Sequence, residues 1–345
     1  MINCNNVENL TLIELNQMLL TDSSITDIYF TNNYIENLNI LLNLNTSQTL
    51  VRLSYASNRI RTIDKHYFDN MQSLELLNLD YNQLESDSIR SLNSLKMLKR
   101  LYLRQAFVWS MTGPDNKQLI EFLNVIKELS NNSYLEEFHL ESNKLKTIDS
   151  LWSKIDFHCL FPFLKLLFLS NNTFNDIYLQ TSCPTQIMMI NLISNQINSI
   201  SQNGIQSLEK LKINQNQFYL LIDFNPFICN NCKTKDFIQW FRKTTIIQKN
   251  MHESDAYLCS MNQTLFDVNI DQCHQTTTTT HIQLIILLIS SLSITCFILI
   301  LSYFIYNWKN VKLRTRSTTV ISYLDQNSTY EQYDDIEDNV KLVKN

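Results

Sequence analysis

The side chains best able to do chemistry stand in two short alternating runs. Arg100, Tyr102 and Arg104 occupy every second position of one, and Glu137, His139 and Glu141 every second position of the other. A period of two places each trio on one face of an extended segment. Arginine, aromatic and carboxylate side chains in one patch are the mixture expected of interface anchors. The opposite charges could instead simply pair across strands, for about 0.2–1 kcal/mol. His139 reads as a surface residue of its strand rather than as a base or a ligand. The six histidines are scattered, and the chain has no nucleophile elbow, P-loop or paired-histidine zinc motif. No catalytic residue, metal or cofactor is therefore expected, and the chain is read as a binding protein rather than an enzyme.

The elements that must position these residues declare themselves by repetition. The pattern L-x-x-L-x-L-x-x-N-x-L lies over Ile25-Ile28-Phe30-Asn33-Ile35, Leu50-Leu53-Tyr55-Asn58-Ile60 and Leu74-Leu77-Leu79-Asn82-Leu84. A degenerate copy, Leu98-Leu101-Leu103, has Ala106 in place of the asparagine. Further copies are Leu135-Phe138-Leu140-Asn143-Leu145, Leu164-Leu167-Leu169-Asn172-Phe174, Ile187-Ile190-Leu192-Asn195-Ile197 and Leu208-Leu211-Ile213-Asn216-Phe218. Such self-similarity is the signature of a solenoid. Each repeat supplies a short strand whose apolar residues point inward, and stacking pairs the strands into a parallel sheet on a concave face. The recurring asparagine turns inward, where its amide can satisfy backbone groups of the bend. The fold class expected is α/β: a leucine-rich-repeat solenoid with a curved parallel sheet, about eight repeats over residues 25–224, with residues 1–24 as a partial N-terminal cap.

Two glycines serve the whole chain while asparagine is abundant, so left-handed turns are expected to lean on asparagine. Between the fourth and fifth repeats lies an insertion near 107–131. Gly113-Pro114-Asp115 precedes Leu119, Ile120, Leu123, Ile126 and Leu129 at helical spacing. The insertion is either a longer convex helix packed on the array or a projecting element that meets a partner. Cys159 and Cys183 precede the first positions of adjacent repeats by five and four residues, which would let them lie side by side and bridge. The exposed strand positions, the candidate ligand-binding set, are Tyr29, Arg52, Asp80, Arg100, Tyr102, Arg104, Glu137, His139, Glu141 and Phe168.

After the repeats come Asn225-Pro226-Phe227-Ile228-Cys229-Asn230-Asn231-Cys232, then Phe237-Ile238-Gln239-Trp240-Phe241, Cys259 and Cys273. With its N-P-F-x-C start and F-x-x-W helix, this segment resembles the C-terminal cysteine cap of extracellular leucine-rich-repeat proteins, over about residues 225–274. The spacing Cys-x-x-Cys departs from the commoner Cys-x-Cys of that cap. The resemblance implies pairing of Cys229 with Cys259 and of Cys232 with Cys273; a zinc site is the rival reading of the four cysteines. Cys4 reads as a remnant of an N-terminal cap.

Residues 275–283 form a threonine-rich stalk, and 284–306 run LIILLISSLSITCFILILSYFIY without a charge. At 1.5 Å per residue such a helix reaches roughly 35 Å, enough to span a bilayer; Cys296 sits inside it. Lys309, Lys312, Arg314 and Arg316 follow it, while the preceding ten residues carry no Lys or Arg. The positive-inside bias therefore expects the N-terminus outside the plasma membrane and residues 307–345 as a disordered cytoplasmic tail. The start MINCNNVENLTLIEL lacks the basic and apolar regions of a signal peptide, so the reading expects that Met1 is not the true start. Sequons fall at Asn9, Asn45, Asn131, Asn171 and Asn262. Tail residues Tyr323, Tyr330 and Tyr333, with Ile336 completing a Tyr-Asp-Asp-Ile motif, could recruit an adaptor.

Over residues 25–306 the chain resembles the single-span leucine-rich-repeat adhesion molecules and receptors. Toll-like receptors share that ectodomain type, but their signalling domain is far longer than this tail. The resemblance implies a receptor or adhesion molecule whose concave face recognises an extracellular protein or a second copy of itself. A co-receptor or scaffold that organises other membrane proteins laterally is the alternative. The net charge of −5 points away from nucleic acid.

Overall fold

In the computed structural model, the described residues are 1–6, 24–39, 49–109, 113–130, 134–146, 157–177, 179, 183–214, 217–229, 234–249, 254–259, 263–270, 289 and 294–308. The chain divides into two units, Met1–His274 and Gln275–Asn345.

The first unit is built on a parallel sheet. Its strands in spatial order are β1 (Ile2–Asn3), β2 (Asp27–Tyr29), β4 (Arg52–Ser54), β6 (Leu76–Asn78), β7 (Arg100–Tyr102), β8 (Glu137–His139), β9 (Leu166–Phe168), β10 (Met189–Asn191) and β11 (Tyr219–Leu221). The short pair β3 (Asn37–Leu38) and β5 (Thr62–Ile63) forms a second, two-stranded sheet. The middle residue of each three-residue strand points inward: Ile28, Leu53, Leu77, Leu101, Phe138, Leu167, Ile190 and Leu220 are all buried. Because register runs without slip from Asp27 through Arg52, Leu76, Arg100 and Glu137 to Leu166, Met189 and Tyr219, the outward side chains form straight rows across the sheet. Those rows are what the candidate site is made of.

The asparagines tie repeat to repeat. Asn82 Nδ2 donates to Tyr55 O in the preceding repeat at 3.0 Å and to Leu79 O in its own at 2.9 Å, while its Oδ1 accepts from Ile60 N at 3.0 Å. Asn58, Asn143, Asn172, Asn195 and Asn225 do the same for Phe30, Leu103, Leu140, Leu169 and Leu192. In the fourth repeat, where Ala106 stands in the asparagine position, the backbone fills in. Leu84 N donates to Ala106 O at 2.7 Å, and Leu84 forms a parallel bridge with Phe107.

Three expectations are corrected. The eighth copy does not sit at Leu208-Leu211-Ile213-Asn216-Phe218. Residues 202–214 form a helix, α3 (Gln202–Asn214), with Ile205, Leu208 and Leu211 buried and Ile213 80% exposed. Apolar residues three apart served the convex helix, and the strand follows as β11, with Asn225 as its ladder asparagine. Cys4 is no cap remnant: Ile2 pairs with Ile28, and Cys4 O accepts from Asn33 Nδ2 at 2.9 Å, so residues 1–6 run as a repeat strand with Cys4 at its buried core position. Nor are the left-handed turns asparagine's alone. The residue before each ladder position has positive φ, and these are Asn6, Asn32, Ser57, Tyr81, Gln105, Ser142, Asn171, Ser194 and Phe224.

The insertion forms α1 (Asn116–Ser130), opened by a reciprocal capping pair in which Gln118 N donates to Asp115 Oδ1 at 2.7 Å and Asp115 N to Gln118 Oε1 at 3.0 Å. It lies against the 3-10 stretch Ser86–Ser94 and buries Leu119, Phe122, Leu123, Val125, Ile126 and Leu129; Ile120, expected inward, is exposed. This is the packed reading rather than the projecting one. Gly113 begins the insertion at φ +89, where an added Cβ would stand 2.7 Å from Lys144 O.

A short helix, α2 (Phe157–Leu160), carries Cys159, which is bonded to Cys183 with 5.5 Å between Cα atoms. At the cap, Cys229 is bonded to Cys259, which removes both from the zinc reading. Helix α4 (Lys235–Lys243) buries Phe237, Ile238 and Phe241 over the end of the array, and Trp240 Nε1 donates to Glu209 Oε1 on α3 at 2.6 Å. Tyr257 donates to Asp223, tying the cap to the last strand's exit. The pair Cys232–Cys273 lies outside the described residues.

In the second unit, residues 294–308 are helical, here α5, and carry the exposed Cys296. No helix among the described residues is long and apolar enough to cross a membrane, and 284–288 and 290–293 of the expected span lie outside them. The stalk, the tail motif at Tyr323, Tyr330, Tyr333 and Ile336, and the sequons at Asn9, Asn45, Asn131 and Asn262 also lie outside; Asn171 is described and exposed.

The ladder makes a stability prediction. Asn82→Ala leaves buried backbone groups unpaired on both sides of a repeat boundary and is expected to destabilise by about 2–4 kcal/mol. Ala106→Asn, which restores the consensus, is expected to destabilise as well, by about 1–3 kcal/mol, because Leu84 N is already bonded and Ala106 is fully buried. Urea unfolding of the two variants checks both; a stabilised Ala106→Asn would contradict the account.

Candidate protein-binding site

Seven of the ten predicted residues form one connected cluster across β6 to β9. At its centre is His139 of β8, which was expected at the surface but is 5% exposed. Asp80 and Glu141 of the same expected set are buried too, because stacking, ion pairs and hydrogen bonds cover these residues. The His139 ring lies nearly parallel to Tyr102 of β7, with centroids 4.3 Å apart, and to Phe168 of β9 at 4.1 Å. Straight register makes this stack, because Tyr102, His139 and Phe168 are consecutive partners across the sheet.

The edges of the ring are held by acids. His139 Nε2 lies 2.8 Å from Glu137 Oε1, and Nδ1 lies 3.1 Å from Glu141 Oε1. A neutral imidazole has one N–H, so the imidazolium alone can donate to both carboxylates. Burial opposes charge on the ring, but the hydrogen bonds to Glu141 and Glu137 outweigh it and raise the pKa of His139 above its ordinary value. Burial likewise raises Glu141, and contact with His139 and Arg104 more than reverses it, so its pKa is lowered. With both nitrogens engaged, His139 offers no lone pair to a metal or a substrate proton. The geometry is that of a clamp.

The remaining members extend the cluster. Tyr102 OH donates to Glu137 Oε1 at 3.2 Å. Arg104 Nη2 donates to Glu141 Oε1 at 2.9 Å, and Arg104 N to Asp80 Oδ1 at 2.6 Å. Burial raises the carboxyl of Asp80 despite the nearby Arg104. The expectation that charges pair across strands holds for Arg104 and Glu141; Glu137 and Glu141 instead pair with His139 of their own repeat, two residues away on either side.

Three predicted residues stay apart. Arg52 pairs at 2.9 Å with Asp27, a buried acid that the sequence reading missed although it stands in the same row as Arg52 and Arg100. Tyr29 lies beyond the pair on β2, partly buried. Arg100 stands next to Glu137 without an ion-pair partner among the described residues. Also missed were the outward residues of the last strands, Leu166, Met189, Tyr219 and Leu221, which give that end of the sheet an apolar face. Their position in the outward rows is the signal that marks them.

Rows of outward side chains on a repeat-built parallel sheet, closed by a disulfide cap, define a leucine-rich-repeat solenoid. A sequence model of the leucine rich repeat matches residues 48–105. Among curated proteins, lumican of Gallus gallus is 30% identical over 175 residues, 47% of this chain and 49% of lumican. Keratocan of Gallus gallus is 28% identical over 151 residues, 42% of this chain and 38% of keratocan. The chain thus spans about half, or less, of the length of the curated relatives it matches. The crystal structure of human 5T4 (Wnt-activated inhibitory factor 1, trophoblast glycoprotein) aligns with a TM-score of 0.57 at 18% identity, covering 78% of this chain and 93% of that one. That likeness speaks for the fold.

The clamp has a pH signature. A group whose pKa is raised by folding stabilises fully below its unfolded value, about 6.5 for histidine, and the contribution disappears as pH rises through the folded value. His139→Gln is therefore expected to cost about 3 kcal/mol at pH 6 and progressively less as the pH is raised. Thermal unfolding of both chains from pH 6 to pH 10 measures the difference, and a gap that widens with pH would refute the doubly donating imidazolium.

Proposed function

We propose that this chain is a cell-surface protein that holds its repeat array outside the cell and recognises a protein through the open face of the sheet. The observation that carries the reading is the Tyr102–His139–Phe168 stack. Tyr102 and Phe168, half-buried and stacked on the two faces of the buried His139 that Glu137 and Glu141 hold, present aromatic surface that loses little conformational freedom on binding. The disulfides Cys159–Cys183 and Cys229–Cys259 support an oxidising compartment. The uncharged run at 284–306, followed by Lys309, Lys312, Arg314 and Arg316, supports a single span with the C-terminus in the cytoplasm. On this reading the basic residues face anionic lipid, the tail tyrosines serve a cytoplasmic adaptor, and Asn171 carries a glycan. Receptor and adhesion roles share the same face and differ in whether the ligand is foreign or a second copy.

Export is the part to test first. The chain would be expressed in animal cells with a cytoplasmic tag, with and without an added signal peptide. The signal-bearing form is expected to gain endoglycosidase-sensitive mass and to reach the surface. A form that stays unglycosylated and internal in both cases would end the proposal.

A further inference from the structure

The cations on the open face of the sheet are treated unequally. Arg52 is neutralised by Asp27, Arg104 by Glu141, and His139 by Glu137 and Glu141. Arg100 has no such partner among the described residues. Its register neighbours are Leu76 on one side and Glu137 on the other. Glu137 is near enough in register to pair with it, yet its Oε1 is taken by His139 Nε2 at 2.8 Å and Tyr102 OH at 3.2 Å. Glu137 is thus turned toward the ring stack and forms no ion pair with Arg100.

Along the same row the surface then changes character. Leu166, Met189 and Tyr219 are consecutive partners, with Tyr219 42% exposed. Strands lie about 4.8 Å apart, so Leu166 is roughly 10 Å from Arg100 and Tyr219 roughly 19 Å. A contiguous apolar patch with a polar rim marks a contact surface, and a guanidinium at its edge favours a carboxylate, which it can grip through two parallel N–H donors.

We propose that the protein bound by this face places an acidic side chain on Arg100 and, within the same segment, apolar side chains along the Leu166–Met189–Tyr219 row. The inference rests on the protein-binding reading above and supplies its partner's chemistry. About 10–19 Å is three to six residues of extended chain, so one short segment reaches from the charge to the patch.

The probe is a phage-displayed library of random twelve-residue peptides, panned on the detergent-solubilised full-length chain. Enriched peptides are expected to carry Asp or Glu three to six residues from an aromatic or aliphatic residue. The leading peptide, synthesised, should bind Arg100→Glu and Met189→Glu at least tenfold more weakly, and an amide in place of its acid should cost the same. Lys210→Glu, an equal charge change on the exposed side of α3, should leave binding within twofold. Should Arg100→Glu melt early, Arg100→Gln takes its place. Peptides that lack an acid but are still lost on Met189→Glu would overturn the inference and leave the protein-binding reading standing. Enrichment that no variant of the sheet face affects, or no enrichment at all, would overturn both.

Discussion

A strand of three residues that must end in a sharp bend buries more backbone polar groups than its sheet can pair, and the rest of this molecule is arranged around that shortage. The remedy is a side-chain amide borrowed from the next repeat: Asn58 reaches back to Phe30 O, Asn82 to Tyr55 O, Asn225 to Leu192 O. Every bend is thus completed by its neighbour, and none is complete alone. That is why the strands hold one register over the whole sheet. That register in turn brings Tyr102, His139 and Phe168 face to face. Where the amide is missing, at Ala106, the chain keeps the account balanced by letting the backbone continue alongside Leu84.

Much of this was legible in sequence because the constraint is local and repeated. A fixed distance from strand leucines to asparagine leaves a pattern that survives the change of Leu to Tyr55 or Phe138. Reading failed where two periods coincide. Leu208 and Leu211 fit the strand pattern but, with Ile205, also fit one face of a helix, and the helix won because that stripe packs the convex side while Ile213 is left exposed. Cys4 was misjudged because cysteine suggests a cap, although it stands two residues after Ile2 as the buried Phe30 stands two after Ile28. Asp27 escaped for a different reason: a buried acid is not expected until its partner, Arg52, is seen to lie beside it in register.

The candidate site was half legible. The residues of the two alternating runs were identified and set side by side, as the register confirms. The burial of His139 between two acids of its own repeat was not, since it depends on how the side chains of three neighbouring strands pack. Once the rows are known, a division of labour follows. Carboxylates that seem available for recognition are engaged internally in orienting one buried imidazolium, and the half-buried rings of Tyr102 and Phe168 flank it on the open face. Composition alone would have assigned those parts the other way round.

The left-handed turns hold a further consequence. Glycine suits such positions best, and each side chain placed there costs about 1 kcal/mol or more in backbone strain. This chain uses Ser57, Tyr81, Gln105, Ser142, Ser194 and Phe224 instead, and Tyr81 and Phe224 are 45% and 49% exposed. The solenoid thereby acquires a margin of side chains at the lip of its sheet, one per repeat, each set in place by the same left-handed main-chain geometry. Such a margin is editable. Residue types differ there from repeat to repeat, Ser57, Tyr81, Gln105 and Phe224 among them, while Asn58, Asn82 and Asn225 keep the ladder beside them, so the molecule varies the rim of its sheet without altering what holds the repeats together.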